Sequence, residues 1–291
     1  MEKLKELLIL KNLKGVGKAK IFSKYAPKIA QNFALEKIKE IVLSKENKLS
    51  EEDWSAAIAA AETIIDRMNE IPDCTAITIF DDDYPKMLES MGNKKPVILF
   101  IRGNMSILTE KGTAVIGTRE PSEYTMRAGE NMVKKIIETS GDVIISGLAL
   151  GCDEVAHEAA VRNGGKTVAF LPSGIDVITP SSHKKLAEDI LASGGCLVSE
   201  YLPGEKATRF TFIERDAIVA ALASRIIVLE CGVKSGTMHT VNDGVKMKRP
   251  IGCFMPKDLK QGSYEGNQYI LKEFHGTALM DTEDLQNFLD H

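Results

Sequence analysis

With 291 residues, 44% of them hydrophobic and 27% charged, the chain is long enough to bury a core, and its size suggests one large domain and a smaller one. No apolar run reaches the roughly 18–20 residues of a bilayer-spanning helix, and the first residues, MEKLKELLILKNLKG, carry no small-residue cleavage site of a secretory leader. A net charge of −4 gives no overall attraction to nucleic acid, and five scattered cysteines without a CxxC pair (Cys74, Cys152, Cys196, Cys231, Cys253) fit reduced thiols in the cytosol rather than disulfides or a zinc site. Residues 1–73 read as helical. Leu4, Leu7, Leu8 and Ile9 begin one amphipathic stretch, and Ile21–Ala30, Ala34–Leu43 and Glu51–Met68 continue the pattern. Ser50, followed by Glu51, Glu52 and Asp53, reads as an N-cap with an acidic first turn.

Beyond Pro72 the rhythm changes. Strands are expected at Ala76–Phe80, Val97–Ile101, Thr113–Ile116, Val143–Ile145, Thr167–Leu171, Cys196–Val198, Arg225–Leu229 and Ile251–Phe254. Helices are expected between them at Tyr124–Glu138, Glu154–Asn163, His183–Ala192, Ile213–Ala223 and Thr237–Met247, with a last short helix at Thr282–Leu289. Alternating strands and helices, with several strands apolar throughout, imply an α/β fold of the extended Rossmann-like kind. In it a mainly parallel sheet has helices on both faces and follows a small all-helical N-terminal domain. The expected division is a helical domain over 1–73, of helix-hairpin-helix or SAM-like type, and a Rossmann-like domain over 74–291.

The motifs are short loops. Leu13-Lys14-Gly15-Val16-Gly17 is a glycine turn between helices, and six lysines from Lys11 to Lys28, with no acidic residue among them, surround it. Lys14 and Lys18 are candidates there for DNA phosphate contacts; the other reading is a plain helical turn with a solvated face. Four strands then empty into small-residue loops. The first holds Gly117, Thr118 and Arg119, with Pro121-Ser122 opening the next helix; the second holds Ser146, Gly147 and Gly151. The third holds Ser173 and Gly174, with Lys184 and Lys185 after it, and the fourth Lys234, Ser235, Gly236 and Thr237. In open parallel sheets such loops gather at one edge, where backbone amides and helix N-termini hold anions. Asp153 is expected to cap the helix that carries His157, and His157 reads as structural rather than catalytic. There is neither a GxGxxG fingerprint nor a Walker sequence, so a classical dinucleotide site and nucleotide hydrolysis are unsupported.

In order, these residues resemble the DprA/Smf family of DNA-processing proteins. The resemblance rests on Tyr84-Pro85, Arg102-Gly103-Asn104, Gly117-Thr118-Arg119-Glu120-Pro121-Ser122, Ser146 to His157, Gly174 to Pro180, Ser199-Glu200, Ser235-Gly236-Thr237 and Gly266-Asn267. It implies a single-stranded DNA-binding protein rather than an enzyme: a cytoplasmic homodimer, without cofactor or metal, that protects incoming DNA and assists loading of a RecA-type recombinase in DNA uptake and recombination. It makes Arg119 the leading DNA contact, with Lys184, Lys185, Arg215 and Lys234 beside it. The chain departs from the family at Leu150, Glu214 and Ala217, each standing where a basic residue is usual, and each lost cation weakens attraction to phosphate. Two other readings stay open: a sensor of a nucleotide-derived ligand on the same loops, and a nucleoside-monophosphate phosphoribohydrolase. The second has Thr240 where its acid should stand.

Overall fold

The computed structural model describes residues 2–45 and 49–290. The N-terminal helices are α1 (Glu2–Asn12), α2 (Lys18–Lys20), α3 (Ala26–Ala30), α4 (Leu35–Lys45) and α5 (Glu51–Glu70). The helix expected over Ile21–Ala30 is interrupted by a π-helical turn at Ile21–Tyr25, where the Ala26 amide reaches back five residues to the Ile21 carbonyl. Pro27 follows at once; a ring without an N–H cannot continue the ordinary i→i−4 ladder. Ser50 caps α5 as expected. Its Oγ accepts from the Asp53 amide at 3.2 Å, and Asp53 Oδ2 accepts from the Ser50 amide at 2.8 Å.

The sheet and its helices follow as β1 (Cys74–Thr78), β2 (Ile98–Gly103), β3 (Gly112–Ile116), α6 (Glu123–Ser140), β4 (Val143–Ser146), α7 (Cys152–Arg162), β5 (Thr167–Phe170), α8 (Lys184–Ala192) and β6 (Cys196–Ser199). After them come α9 (Arg209–Leu222), β7 (Arg225–Val228), α10 (Thr237–Lys246), β8 (Ile251–Phe254), α11 (Glu265–Glu273), β9 (Thr277–Leu279) and α12 (Thr282–Asp290). The described residues form one nine-stranded sheet in the order β1-β2-β6-β5-β4-β3-β7-β8-β9. β2 runs antiparallel to both β1 and β6, and the remaining pairs are parallel.

Side chains alternate between the two faces with period two, and both faces are buried. Leu99, Ile101, Ala114, Ile116, Val143, Ile145, Val168, Phe170, Ile226 and Val228 meet α9 and α10 on one face. The opposite face carries two clusters. Val115, Ile144, Ile227 and Leu229 pack on α6, α7 and α12. Ile98, Phe100, Ala169 and Leu197 pack on α8 and on Leu7, Leu8, Ile38 and Trp54 of the N-terminal helices. Those helices therefore share a core with the sheet.

The chain leaves β3 toward β4 on one side and, after β6, returns to place β7 on the other. The strand order thus reverses between β3 and β7, and in open α/β sheets a crevice opens at such a point, outside the carboxyl ends of the strands.

Candidate nucleic-acid interface at the strand-order reversal

The loop after β3 is tied to both of its neighbours. The Thr118 amide donates to the Glu230 carbonyl at 2.7 Å, and the Cys152 amide donates to the Thr118 carbonyl at 3.1 Å. Gly151 has φ +79°, and a Cβ there would lie 2.6 Å from the Arg119 carbonyl carbon and oxygen, so only glycine lets the β4 loop close on the β3 loop. Glu230 is buried and holds the start of α6: it accepts from the Ser122 amide at 3.0 Å and the Ser122 hydroxyl at 2.9 Å, and from the Ser263 amide at 2.9 Å. Ser122 caps α6, as its sequence position suggested.

Asp153 does not cap α7. Gly151 occupies the N-cap position, and Asp153, one residue inside the helix, turns its carboxylate back to the preceding loop. Its Oδ2 accepts from the Gly147 amide at 3.1 Å and the Ala149 amide at 3.3 Å. The loop's own amides thus win the carboxylate from the helix end.

These tied loops surround a cavity of about 670 Å³, within the roughly 300–1,000 Å³ range of small-ligand sites. Its lining brings together the expected Gly117, Thr118, Arg119, Gly147, Arg215, Lys234, Ser235, Gly236 and Thr237. Arg119 is exposed, and its guanidinium lies over the Phe212 ring, 5.1 Å from the centroid. Arg209 and Lys234 are exposed cations on the same lining, and none of these three makes an ion pair among the described residues. Lys234 precedes the first turn of α10, where the helix dipole favours an anion although the Met238 and His239 amides already donate to the Ser235 and Gly236 carbonyls at 3.2 and 2.9 Å.

Arg215 behaves differently: it is 3% exposed. Its Nε donates to Asp216 Oδ1 at 3.0 Å, and its Nη1 donates to the Phe170 carbonyl at 2.9 Å and to the Gly147 carbonyl. It is a structural cation beneath the loops, not a free phosphate contact. Burial raises the pKa of Asp153, against the opposing pull of Arg215. It raises that of Asp216 as well, where Asp153 adds repulsion to the burial.

The other expected residues lie outside this lining. Ser146 is buried and donates to the Val115 carbonyl at 2.7 Å. Ser173 donates to the Val177 carbonyl at 2.6 Å, and the Gly174 amide donates to the Glu205 carbonyl at 2.8 Å. Lys184 and Lys185 are exposed on α8, Lys185 paired with Asp189, and Lys14 is exposed in its turn. Lys18 reaches Glu200 Oε2 at 2.5 Å, and Lys11 donates to the Glu200 carbonyl at 2.7 Å. His157 is buried, with Nδ1 2.7 Å from Thr167 Oγ1, in keeping with a structural role.

Sequence reasoning missed Arg209, Phe212, Asp216 and His239. Four residues separate the expected start of α9 from the observed one. The overlooked signal is the reciprocal cap, in which Thr208 Oγ1 accepts from the Thr211 amide at 3.3 Å and Thr211 Oγ1 from the Thr208 amide at 2.8 Å.

Comparison with known proteins agrees with this fold. The family model described as DNA recombination-mediator protein A matches residues 75–290. The chain is 35% identical over 200 residues to the DNA processing protein DprA of Streptococcus pneumoniae, covering 68% of each protein. It is 32% identical over 178 residues to the protein Smf of Escherichia coli, covering 61% of this chain and 47% of that one. Among solved structures, the X-ray structure of S. pneumoniae DprA superposes with a TM-score of 0.80 at 28% identity, covering 98% of this chain and 97% of that one. Helicobacter pylori DprA, whose structure concerns a single-stranded DNA binding mode, has a TM-score of 0.65 at 25% identity, covering 75% and 95%. With the family model spanning most of its length, the chain belongs to the DNA recombination-mediator protein A family, the DprA/Smf proteins.

Proposed function

We propose that this chain binds single-stranded DNA by its phosphates at the crevice outside β3 and β7, and acts as a mediator rather than as a catalyst. The observation that carries this reading is the exposed Arg119 guanidinium lying over Phe212, with Arg209 and Lys234 on the same lining and no acidic partner for any of them among the described residues. Unpaired cations suit a flexible, sequence-tolerant strand, because they neutralise its phosphates whatever its bases. In this reading residues 1–73 are a helical domain docked on a Rossmann-like domain of residues 74–291. The protein works as a homodimer in the cytoplasm, protects incoming strands and assists their transfer to a RecA-type recombinase. The names of its relatives and the DNA-binding mode of the H. pylori protein support this assignment.

A second reading, a sensor of a nucleotide-derived ligand, draws on the cavity's size, which suits one nucleotide as well as a strand passing over its mouth. Fluorescence anisotropy with a labelled oligo-dT strand and the matching duplex, over a series of salt concentrations, separates the two. Salt-sensitive binding with the single strand preferred supports the strand-binding reading. Absence of binding at low salt would leave the ligand sensor.

A further inference from the structure

The cavity between the β3 and β7 loops is electrically two-sided. Arg119, Arg209, Lys234 and His239 are exposed on its lining. Deeper lie two carboxylates and one guanidinium: Asp153 at 8% exposure, Asp216 with its side chain 20% exposed, and Arg215 with its side chain 4% exposed. Arg215 is already engaged with Asp216 and with two backbone carbonyls. Asp153 Oδ2 is engaged with two loop amides. Asp216 Oδ1 takes the Arg215 Nε–H, while its Oδ2 has no hydrogen-bond partner among the described residues and belongs to a side chain that lines the cavity.

Burial raises the pKa of both acids, and where both are ionised, two carboxylates against one buried cation give the floor an excess of negative charge. A phosphate is repelled from such a floor and held at the cationic mouth. The floor accepts an N–H donor, the complement of a lone carboxylate oxygen.

We propose that the nucleotide seated here is read through its base. Its phosphate lies on Arg119, Arg209 and Lys234, and its base points inward, with Asp216 Oδ2 accepting an exocyclic amino group. The occupant is then an amino-bearing base, and cytosine is favoured over uracil, which presents a carbonyl oxygen at the same position. This inference deepens the DNA-binding reading and rests on it.

The test compares oligo-dC with oligo-dU of equal length, a pair without the thymine methyl group, by anisotropy at mildly alkaline pH and fixed salt. The unaltered protein is expected to bind dC roughly five- to tenfold more tightly, the size of one carboxylate–amine contact. In Asp216→Asn the amide oxygen can still accept from Arg215 while an NH₂ replaces the free oxygen, so the preference is expected to vanish or reverse. Should that variant fail to fold, displacement of labelled strand from the unaltered protein by deoxycytidine monophosphate against deoxyuridine monophosphate reads the same preference. Equal affinity for dC and dU would overturn the base-reading proposal while leaving strand binding intact. A dC preference that persists in Asp216→Asn would overturn Asp216 as the reader. Failure of both strands to bind at low salt would remove the underlying DNA reading and this inference with it.

Discussion

Lys18, at the start of α2, places its Nζ 2.5 Å from Glu200 Oε2, just past β6, and the Glu200 side chain is 5% exposed. With Lys11 on the Glu200 backbone carbonyl, the glycine turn between α1 and α2 is fastened to the sheet by cations that the sequence alone would assign to DNA. Burial lowers the Lys11 pKa, with Glu200 opposing the shift. This ammonium is a packed structural group.

The Lys18→Ala variant is therefore expected to lose stability, by about 1–3 kcal/mol, since it strips a largely buried carboxylate of its ion pair. Its affinity for single-stranded DNA should change little. Urea unfolding and anisotropy on the same preparation check both halves. A variant of unchanged stability with strongly weakened DNA binding would return Lys18 to the DNA interface.

The Arg215 guanidinium fills the space where a side chain at residue 147 would stand, so a Cβ there collides with it. Gly147→Ala must shift either the loop or a buried cation away from its carbonyl acceptors. A loss of about 3 kcal/mol or more is expected, measured as a lower urea midpoint at unchanged slope. Wild-type stability in this variant would mean that Arg215 is not held there in solution.

Phe210 is 77% exposed, beside Arg209 at the start of α9. An aromatic ring so exposed adds little to the core, so Phe210→Ala should unfold like the parent. If it stacks on a base, single-strand affinity falls by about 1–3 kcal/mol while duplex binding is unaffected. Equal affinity of the variant and the parent for a single strand would exclude Phe210 from the interface.

His157 sets part of the acid limit of the fold. Burial, with repulsion from His183 and Arg215, lowers its pKa from 6.5 to about 3. The unfolded chain takes up this proton near pH 6.5 and the folded one only near pH 3, so the unfolded state binds more protons between them. Stability therefore falls as pH drops through that window, by up to about 1.4 kcal/mol per pH unit from this group. Asp153 and Asp216 act in the opposite sense, because their raised pKa values relieve a cost as pH falls. His157→Gln should flatten the acid limb of a urea-midpoint titration, and an unchanged limb would contradict the assignment.

Much of this architecture was legible in the residues. Strands such as Val143–Ser146 and Thr167–Phe170 are short apolar runs between helix-period segments, and a strand buried on both faces has that pattern. β9 was not legible, because three residues are too few to display an alternation. α11 was read only as a Gly266-Asn267 echo, since its apolar positions are sparse and it follows an irregular segment. The loops of the site could be named because each ends a strand at the same sheet edge. Which of them stay open could not, because that depends on contacts distant in sequence. Gly174 bonds to Glu205 and Lys18 to Glu200, whereas Arg119 lies over the Phe212 ring with no ion-pair partner among the described residues. Nor does a row of lysines reveal that its counter-charge lies 182 residues away.

The most direct test of the central claim, that DNA phosphates are held at the crevice by Arg119, is the salt dependence of single-strand affinity in the parent and in Arg119→Ala. The variant should bind every sequence more weakly, with the slope of log affinity against log salt reduced by about one, as loss of a single phosphate contact requires. Unchanged affinity and slope would contradict the claim and move the DNA site away from the β3–β7 crevice.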